Sequence, residues 1–481
     1  MDLQFDRWVS LHARLAREKV KSWSLDALPR HLRRNSLDYY YLSVWPGLSA
    51  LEPVESVELP PRPAVTESMY VHIPFCSGLC NFCSYFLKVV RPEDSPAIGE
   101  YITDLLREVE IHKRDSALDI SYLYLGGGTP SILHPGQLDR FLSGLHDMSV
   151  LAPSLLGTIE IHPELFSDDR RSRSFLDALT RNGLRRVSIG FETDDAHLLE
   201  ATNRRHDNTF LTRAITLLRD RGFVVNVDLM YGLPGQTLTS WIRSLGVALA
   251  ARPSSISTYF TFVDSGTPLW KACERGEIRL PDHAEVQAQH VSAQTVLEEA
   301  GYFELPNDFY SIRDPARSFT QESLPSDANS LALGAGSYGY YSGVQYFNVF
   351  SFEMYRRKVR AGQAPLWRAA KLSPTEIFCR DIMFSLKNAP ELRGDLFRVR
   401  HGKTPWDAYP EIFAELQRLE LIDVMATSAV LTSKGRLLVE EVACLFPVEG
   451  SPSRVPSTAA ERQRVRKHNF APTYARLRNS A

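Results

Sequence analysis

The sequence predicts an α/β protein built on a partial (β/α)6 barrel, with an N-terminal helical extension and a small C-terminal winged-helix-like α+β domain. Three observations predict this. From Met69 onward, short β-branched runs alternate with longer segments of helical period. Six such units follow in series, which implies parallel strands joined by right-handed crossovers. With 481 residues the chain also exceeds one core, because single cores stop growing at about 250–300 residues.

Taken in order, residues 1–65 carry helical pieces, the aromatic stretch Tyr39-Tyr40-Tyr41 and Trp45, and end in Leu59-Pro-Pro-Arg-Pro63. They read as an extension whose aromatic residues either cap an aromatic or heterocyclic substrate or form a purely structural cluster. Residues 66–265 form the barrel, with strands expected at Met69–Ile73, Ser121–Leu125, Thr158–Ile161, Arg186–Gly190, Val224–Leu229 and Ser257–Phe262. The intervening helices are typified by Phe210–Arg221, where Leu211, Ala214, Leu217 and Leu218 share one face and Gly222 provides the stop. Chemistry in such a barrel sits at the C-terminal ends of the strands. After about residue 265 the rhythm is lost, and residues 266–369 read as a barrel-completing segment. Its Gly334-Ala-Gly336-Ser-Tyr-Gly339 does not open a βαβ unit, which excludes a dinucleotide fingerprint and leaves a loop closing over a cofactor. Residues 370–450 read as the accessory domain, packed on the barrel, and residues 451–481 as a disordered tail.

Composition excludes several classes. Formal net charge is −2, so no global field draws the chain to nucleic acid or an anionic membrane. No apolar run approaches the roughly 20 residues that span a bilayer, and the N-terminus lacks the basic-then-apolar order of a secretory signal. The expected location is cytoplasmic. Of six cysteines, Cys273, Cys379 and Cys444 stand singly and read as buried structural thiols.

The other three, Cys76-Ser-Gly-Leu-Cys80-Asn-Phe-Cys83, directly follow a strand. Three thiolates bind three irons of a [4Fe–4S] cubane and leave the fourth iron open for a chelating ligand. S-Adenosylmethionine (SAM) supplies that ligand through its amino and carboxylate groups. Zinc sites take paired ligands separated by a longer loop, and no second pair follows here. Gly126-Gly-Gly-Thr-Pro130 ends the second strand and is suited to close backbone approach to a ligand. Glu160, Glu192 and Asp228 fall at strand ends, where a carboxylate needs a partner: a ribose hydroxyl, an amino group, or a salt bridge to Arg204. His72 reads as a core or supporting histidine rather than a proton donor.

With these motifs in order, the chain resembles radical SAM proteins similar to oxygen-independent coproporphyrinogen III dehydrogenase. The resemblance covers roughly residues 65–446. It rests on Tyr70-Val-His-Ile-Pro-Phe-Cys76 with its triplet, Gly126–Pro130, Asn203-Arg204 with His206, Asp228-Leu-Met-Tyr-Gly-Leu-Pro234, and Thr432-Ser-Lys-Gly-Arg-Leu-Leu438. It implies a radical SAM barrel and, as in several members, two SAM molecules. Tyr70, Gly127 and Glu160 are implied contacts to the cluster-bound SAM. Gly128, Thr129, Glu192, Arg204 and Asp228 are implied contacts to the second. Phe82 and Phe262 would approach through backbone, and Tyr340 would lie beyond the late glycine loop.

The departures fall on the substrate side. A further cysteine two places after the third ligand is Tyr85 here, the candidate catalytic residue. The usual glutamine is Glu192, and Tyr-Leu-Ser-Val-Trp-Pro (41–46) replaces an Arg-Tyr-Thr-Ser-Tyr-Pro segment. The expected activity is therefore methyl or methylene transfer from a second SAM to an sp² carbon of a small aromatic or heterocyclic metabolite. Flavodoxin or ferredoxin would supply electrons, and no nucleic acid or membrane partner is expected. The alternatives are coproporphyrinogen III oxidation or another haem-related reaction, and a non-catalytic haem chaperone.

Overall fold

A computed structural model describes residues 3–25, 28–29, 32, 46, 51–91, 95–204, 210–264, 266–305, 308–312 and 329–446. Tyr39, Tyr40, Tyr41, Trp45, His206 and the 451–481 tail lie outside the described residues.

Six parallel strands form the barrel wall: β2 (Val65–Ile73), β5 (Ala117–Gly127), β6 (Leu151–Ile161), β7 (Arg186–Glu192), β8 (Val224–Tyr231) and β9 (Ser255–Phe260). They lie in that order within a 13-stranded sheet, β1-β15-β14-β13-β12-β2-β5-β6-β7-β8-β9-β11-β10. All six expected strands are present. Most extend beyond the apolar runs, because turn-proximal polar residues also join the ladder. Alternation decides the faces. Val187, Ile189 and Phe191 of β7 are fully buried against the outer helices, whereas Arg186, Ser188 and Gly190 face the lumen.

The helices α2 (Ser95–Asp115), α3 (Pro135–Asp147), α4 (Asp169–Arg181), α6 (Leu211–Asp220) and α7 (Leu238–Ala250) form the outer layer. Apolar stripes seat them, as Leu138, Phe141, Leu142 and Leu145 seat α3.

The segment where the rhythm fades still feeds the sheet. β12 (Ser330–Leu333) pairs in parallel with β2, Ala332 opposite Tyr70. An antiparallel run of β13 (Tyr338–Tyr341), β14 (Val344–Asn348), β15 (Leu366–Lys371) and β1 (Glu52–Pro53) follows. On the other side, β11 (Phe309–Ser311) and β10 (Phe303–Leu305) finish the sheet. The sequence pattern missed β12 because four residues carry too little period to distinguish a strand.

The described part of the extension, α1 (Leu3–Ser22), docks on the outer layer. Arg243 of α7 donates to Asp6 at 2.6 Å, and His12 contacts Glu299 of α9 (His283–Glu299) at 2.8 Å. Gly246 leaves the space that Phe5 fills, since a Cβ there would stand 2.6 Å from its ring. This helix therefore braces the barrel from outside.

At the C-terminal end, α11 (Pro374–Asn388), β16 (Leu392–Arg393), α12 (Gly394–His401), α14 (Pro410–Arg418), β17 (Ile422–Val424) and β18 (Ser428–Leu431) run in winged-helix order, with sheet order β16-β18-β17. Of the scattered cysteines, Cys379 is buried, as expected, and shares a 3.0 Å hydrogen bond with the Tyr409 hydroxyl. Cys273 and Cys444 are only half-buried, which corrects that expectation for both.

Candidate active site

The cysteine loop begins where β2 ends. Cys76 closes β3 (Phe75–Cys76) and is buried, while Cys80 and Cys83 are half-buried. Burial pushes the Cys76 thiol up to about 11 and raises those of Cys80 and Cys83 as well. Free thiols therefore stay protonated here, and a bound metal centre is what would hold them as thiolates. The Thr129 hydroxyl donates to Cys76 Sγ at 3.3 Å, and Arg204 Nη1 to Cys80 Sγ at 3.7 Å.

Hydrogen bonds lace this loop to the end of α5 (Ala196–Ala201) and the turn after it. Asn81 N donates to Thr202 O at 3.0 Å, Asn81 Nδ2 to Ala201 O at 2.8 Å, and Asn203 Nδ2 to Leu79 O at 2.6 Å. Asn203 takes φ 59°, a left-handed conformation that asparagine tolerates better than most residues. That conformation orients Arg204 toward the cysteines.

The glycine turn abuts the same loop, and close approach explains its glycines. Gly127 has φ 111°, and a Cβ there would lie within 2.4 Å of the His72 ring. The amides of Gly127, Gly128 and Thr129 are taken by Glu160 Oε2 (3.2 Å), Ile73 O (2.9 Å) and Phe75 O (2.8 Å). The glycines thus admit neighbouring protein, and the turn's amides are not left for a ligand. The 334–339 loop gives a similar correction. Its amides at Gly334, Ala335 and Gly336 donate to Glu108, Tyr101 and Val349, so it packs behind the cysteine loop.

His72 is a buried supporting residue. Its Nε2 must donate to the Phe86 carbonyl at 2.8 Å, because a carbonyl only accepts. Burial lowers its pKa to about 4, so the ring is neutral and Nδ1 accepts the Tyr70 hydroxyl at 3.1 Å.

Three carboxylates face the lumen at the strand ends. Glu160 accepts from the Tyr124 hydroxyl at 2.8 Å as well as from Gly127 N, and burial raises it to about 7. Glu192 is raised to about 7 by burial, opposed by Arg204 at 3.2 Å. It sits at φ 63°, an uncommon conformation for a residue with a side chain. Burial also raises Asp228, which accepts from Ser188 at 2.7 Å and Asn226 Nδ2 at 2.8 Å.

Phe82 packs against the apolar group of Leu198, Met230 and Leu233. Phe262 follows β9 and packs on the main core. Tyr85 is half-exposed at the loop's exit. Tyr340 is the exception. The Arg380 guanidinium stacks on its ring at 3.6 Å, and it belongs to a separate core with Leu51, Phe347 and Met383. The looser pattern beyond the glycine loop left its direction undetermined. Tyr124, Ser188 and Asn226 were missed, although Tyr124 and Asn226 stand two places before Gly126 and Asp228, and Ser188 four before Glu192.

A radical SAM superfamily profile matches residues 70–246 of this chain. The chain carries a radical SAM domain. It is 31% identical over 304 residues to anaerobilin synthase of Escherichia coli O157:H7, covering 62% of this chain and 66% of that protein. It is 26% identical over 380 residues to the heme chaperone HemW of Bacillus subtilis, covering 78% and 98%. Coproporphyrinogen III oxidase (HemN) from Escherichia coli shares its fold, with TM-score 0.71, 24% identity and coverage of 84% and 96%. The radical SAM domain is thus homologous to HemN-type proteins and implies a [4Fe–4S] cluster and SAM.

The residues present fit both groups. Three thiols on one loop suit a cluster with an open iron. Arg204 Nε is buried without a hydrogen-bond partner among the described residues, and lumen carboxylates suit a cationic, hydroxyl-bearing ligand. When bound, the cluster supplies the electron that cleaves a C–S bond of SAM, giving methionine and a radical able to abstract hydrogen.

Glu160 provides a pH test. Its raised carboxyl means that the folded protein binds a proton more tightly than the unfolded chain. Stability without ligand therefore falls as pH rises from the ordinary carboxylate value toward about 7. Glu160→Gln is expected to melt higher than the native protein above that range, with the gap closing in acid, as thermal denaturation across pH will show.

Proposed function

We propose that this radical SAM protein uses two SAM molecules and transfers a methyl-derived carbon to an sp² carbon of an aromatic or heterocyclic substrate. The observation that supports it best is the division of the lumen carboxylates into two settings. Glu160 is held by Tyr124 and the glycine turn, while Glu192 and Asp228 lie on β7 and β8, with Arg204 between Glu192 and Cys80. In this reading Tyr70, Glu160 and the backbone carbonyl of Gly127 orient the first SAM, and Glu192, Arg204, Asp228 and the backbone carbonyls of Gly128 and Thr129 the second. Phe82 and Phe262 approach the same region through backbone. Tyr85, half-exposed past the triplet, faces the substrate.

The experiment is anaerobic turnover of reconstituted protein with methyl-deuterated SAM. Deuterium in 5′-deoxyadenosine together with S-adenosylhomocysteine is the expected result. Unlabelled 5′-deoxyadenosine without S-adenosylhomocysteine, across acceptors, overturns it.

A second reading is tetrapyrrole chemistry, favoured by the names anaerobilin synthase, heme chaperone and oxygen-independent coproporphyrinogen III oxidase among the relatives. Protoporphyrin fluorescence after incubation with coproporphyrinogen III identifies the oxidase form. Stoichiometric haem binding without turnover identifies the chaperone form.

A cytoplasmic enzyme supplied by flavodoxin or ferredoxin and free of nucleic acid completes the proposal. In its support, no helix among the described residues is long and apolar enough to cross a membrane.

A further inference from the structure

We propose that the lower lumen is an anion-receiving subsite, in which Arg186 takes a carboxylate borne by an aromatic substrate while Tyr124 and Tyr259 flank its rings. The inference rests on the radical SAM reading and names the substrate class for that same lumen.

Strand register places the parts. Tyr124 of β5 is opposite Thr158 of β6, which is opposite Arg186 of β7. These three lie on the lumen face, two residues below Gly126, Glu160 and Ser188 by the period of the strands. Asp228 and Glu192 stand higher still, toward the strand ends. The lumen therefore carries Glu160, Glu192 and Asp228 with Arg204 toward the mouth, and a second guanidinium, Arg186, lower down.

The lower level has features of a ligand site. Arg186 Nη2 donates to Ser255 Oγ at 3.4 Å, and its guanidinium lies 5.5 Å from the Phe309 ring centre, contacts that hold it toward β9 and β11. It is half-buried, so a molecule in the lumen can reach it. Thr158 is only 1% exposed, yet its hydroxyl has no hydrogen-bond partner among the described residues. Such a group is costly unless something completes it. Tyr259 keeps 42% of its surface exposed although it lies within β9; it shares the lumen face with Ser257 and stands two residues nearer the mouth, so it bounds the subsite from above. A large ring left open inside a barrel is a stacking surface.

Charge decides the orientation of the occupant. Asp228 is already engaged by Ser188, Asn226 and Ser257 and also attracts Arg186, so a substrate carboxylate must share that guanidinium with it. A cationic cofactor suits the mouth. A substrate whose anionic end points down meets Arg186 through a charge-assisted hydrogen bond and Thr158 through its hydroxyl. Its ring then lies between the tyrosines with the opposite end toward the cysteines.

The test uses fluorescence titration of the anaerobically reconstituted protein with two matched probe pairs. These are coproporphyrin III with its tetramethyl ester, and 2-naphthoate with 2-naphthamide. The native protein is expected to prefer the anion of at least one pair by about tenfold or more. Arg186→Gln should abolish that preference and Arg186→Lys retain part of it. Tyr259→Ala, at a half-exposed ring, should weaken anion and neutral probe alike.

Should Arg186→Gln not fold, Thr158→Val decides. It removes only the unpaired hydroxyl, so it should reduce the anion preference while raising the melting temperature of the unliganded protein. Equal binding within both pairs, no binding of any probe, or an unchanged preference in the folded variants overturns the subsite. Failure of the two-SAM reading shows separately, in the labelled-SAM products, which do not depend on these probes.

Discussion

Cys80→Ala is expected to abolish 5′-deoxyadenosine formation, to lower iron content and to remove the broad visible absorbance of the reconstituted protein, while the fold survives. Three thiolates each hold one iron, so losing one leaves two irons open to solvent and the cluster labile. The fold survives because the loop's shape does not depend on the thiol. Asn81 and Asn203 tie its backbone to the segment after α5, and Leu269 N donates to Asn81 O at 3.0 Å. Arg204 loses only a weak contact to sulfur and keeps Glu192 and the Gly190 carbonyl at 2.7 Å. Circular dichroism should match the native protein. Native iron content and 5′-deoxyadenosine yield in the variant would sink the assignment. Cys379→Ala is the contrast: a small stability loss from a buried thiol with no effect on iron.

Glu108→Leu is expected to produce the largest loss of stability. Glu108 is fully buried on α2 and accepts from Gly334 N at 2.8 Å, Asn348 Nδ2 at 2.9 Å and the Tyr355 hydroxyl at 2.6 Å. One carboxylate thus holds the glycine loop, β14 and α10 (Phe352–Arg360) against α2. Leucine takes the acceptor from Gly334 N and the Tyr355 hydroxyl, whereas Asn348 Nδ2 keeps Ala332 O, Gly334 O and Ser337 Oγ. At about 1–3 kcal/mol for each buried unsatisfied group, the total is several kcal/mol. Against the roughly 5–15 kcal/mol of a typical domain, that is enough to unfold much of the protein. Thermal melts should show a drop well beyond that of Glu108→Gln, which retains one acceptor oxygen. Because the 334–336 loop packs on His72 and Phe86, residual folded Glu108→Leu protein should also reconstitute its cluster poorly. A melting temperature near native would refute this account.

These two residues mark how far the sequence is legible. Cys76, Cys80 and Cys83 are legible because three cysteines fall on one short loop, where closeness along the chain keeps them close in space. The six barrel strands are legible for a related reason, since a β-branched run with period two commits its own backbone locally. The glycine turn was legible as a place, but its reason was not. Only the packing of the two strands shows that Gly127 yields room to the His72 ring.

Sequence by itself located the barrel, the cysteine triplet and the lumen-facing carboxylates, because alternation tells each strand residue which face it occupies. Tertiary structure alone decided who stands opposite. It set Tyr124 against Glu160, Arg204 between Glu192 and Cys80, Tyr340 beneath Arg380, Glu108 under the glycine loop, and α1 on the outside of the barrel. The physical reason is that a side chain's direction follows from its own backbone, whereas its partner is fixed by pairing and packing between segments far apart in the chain.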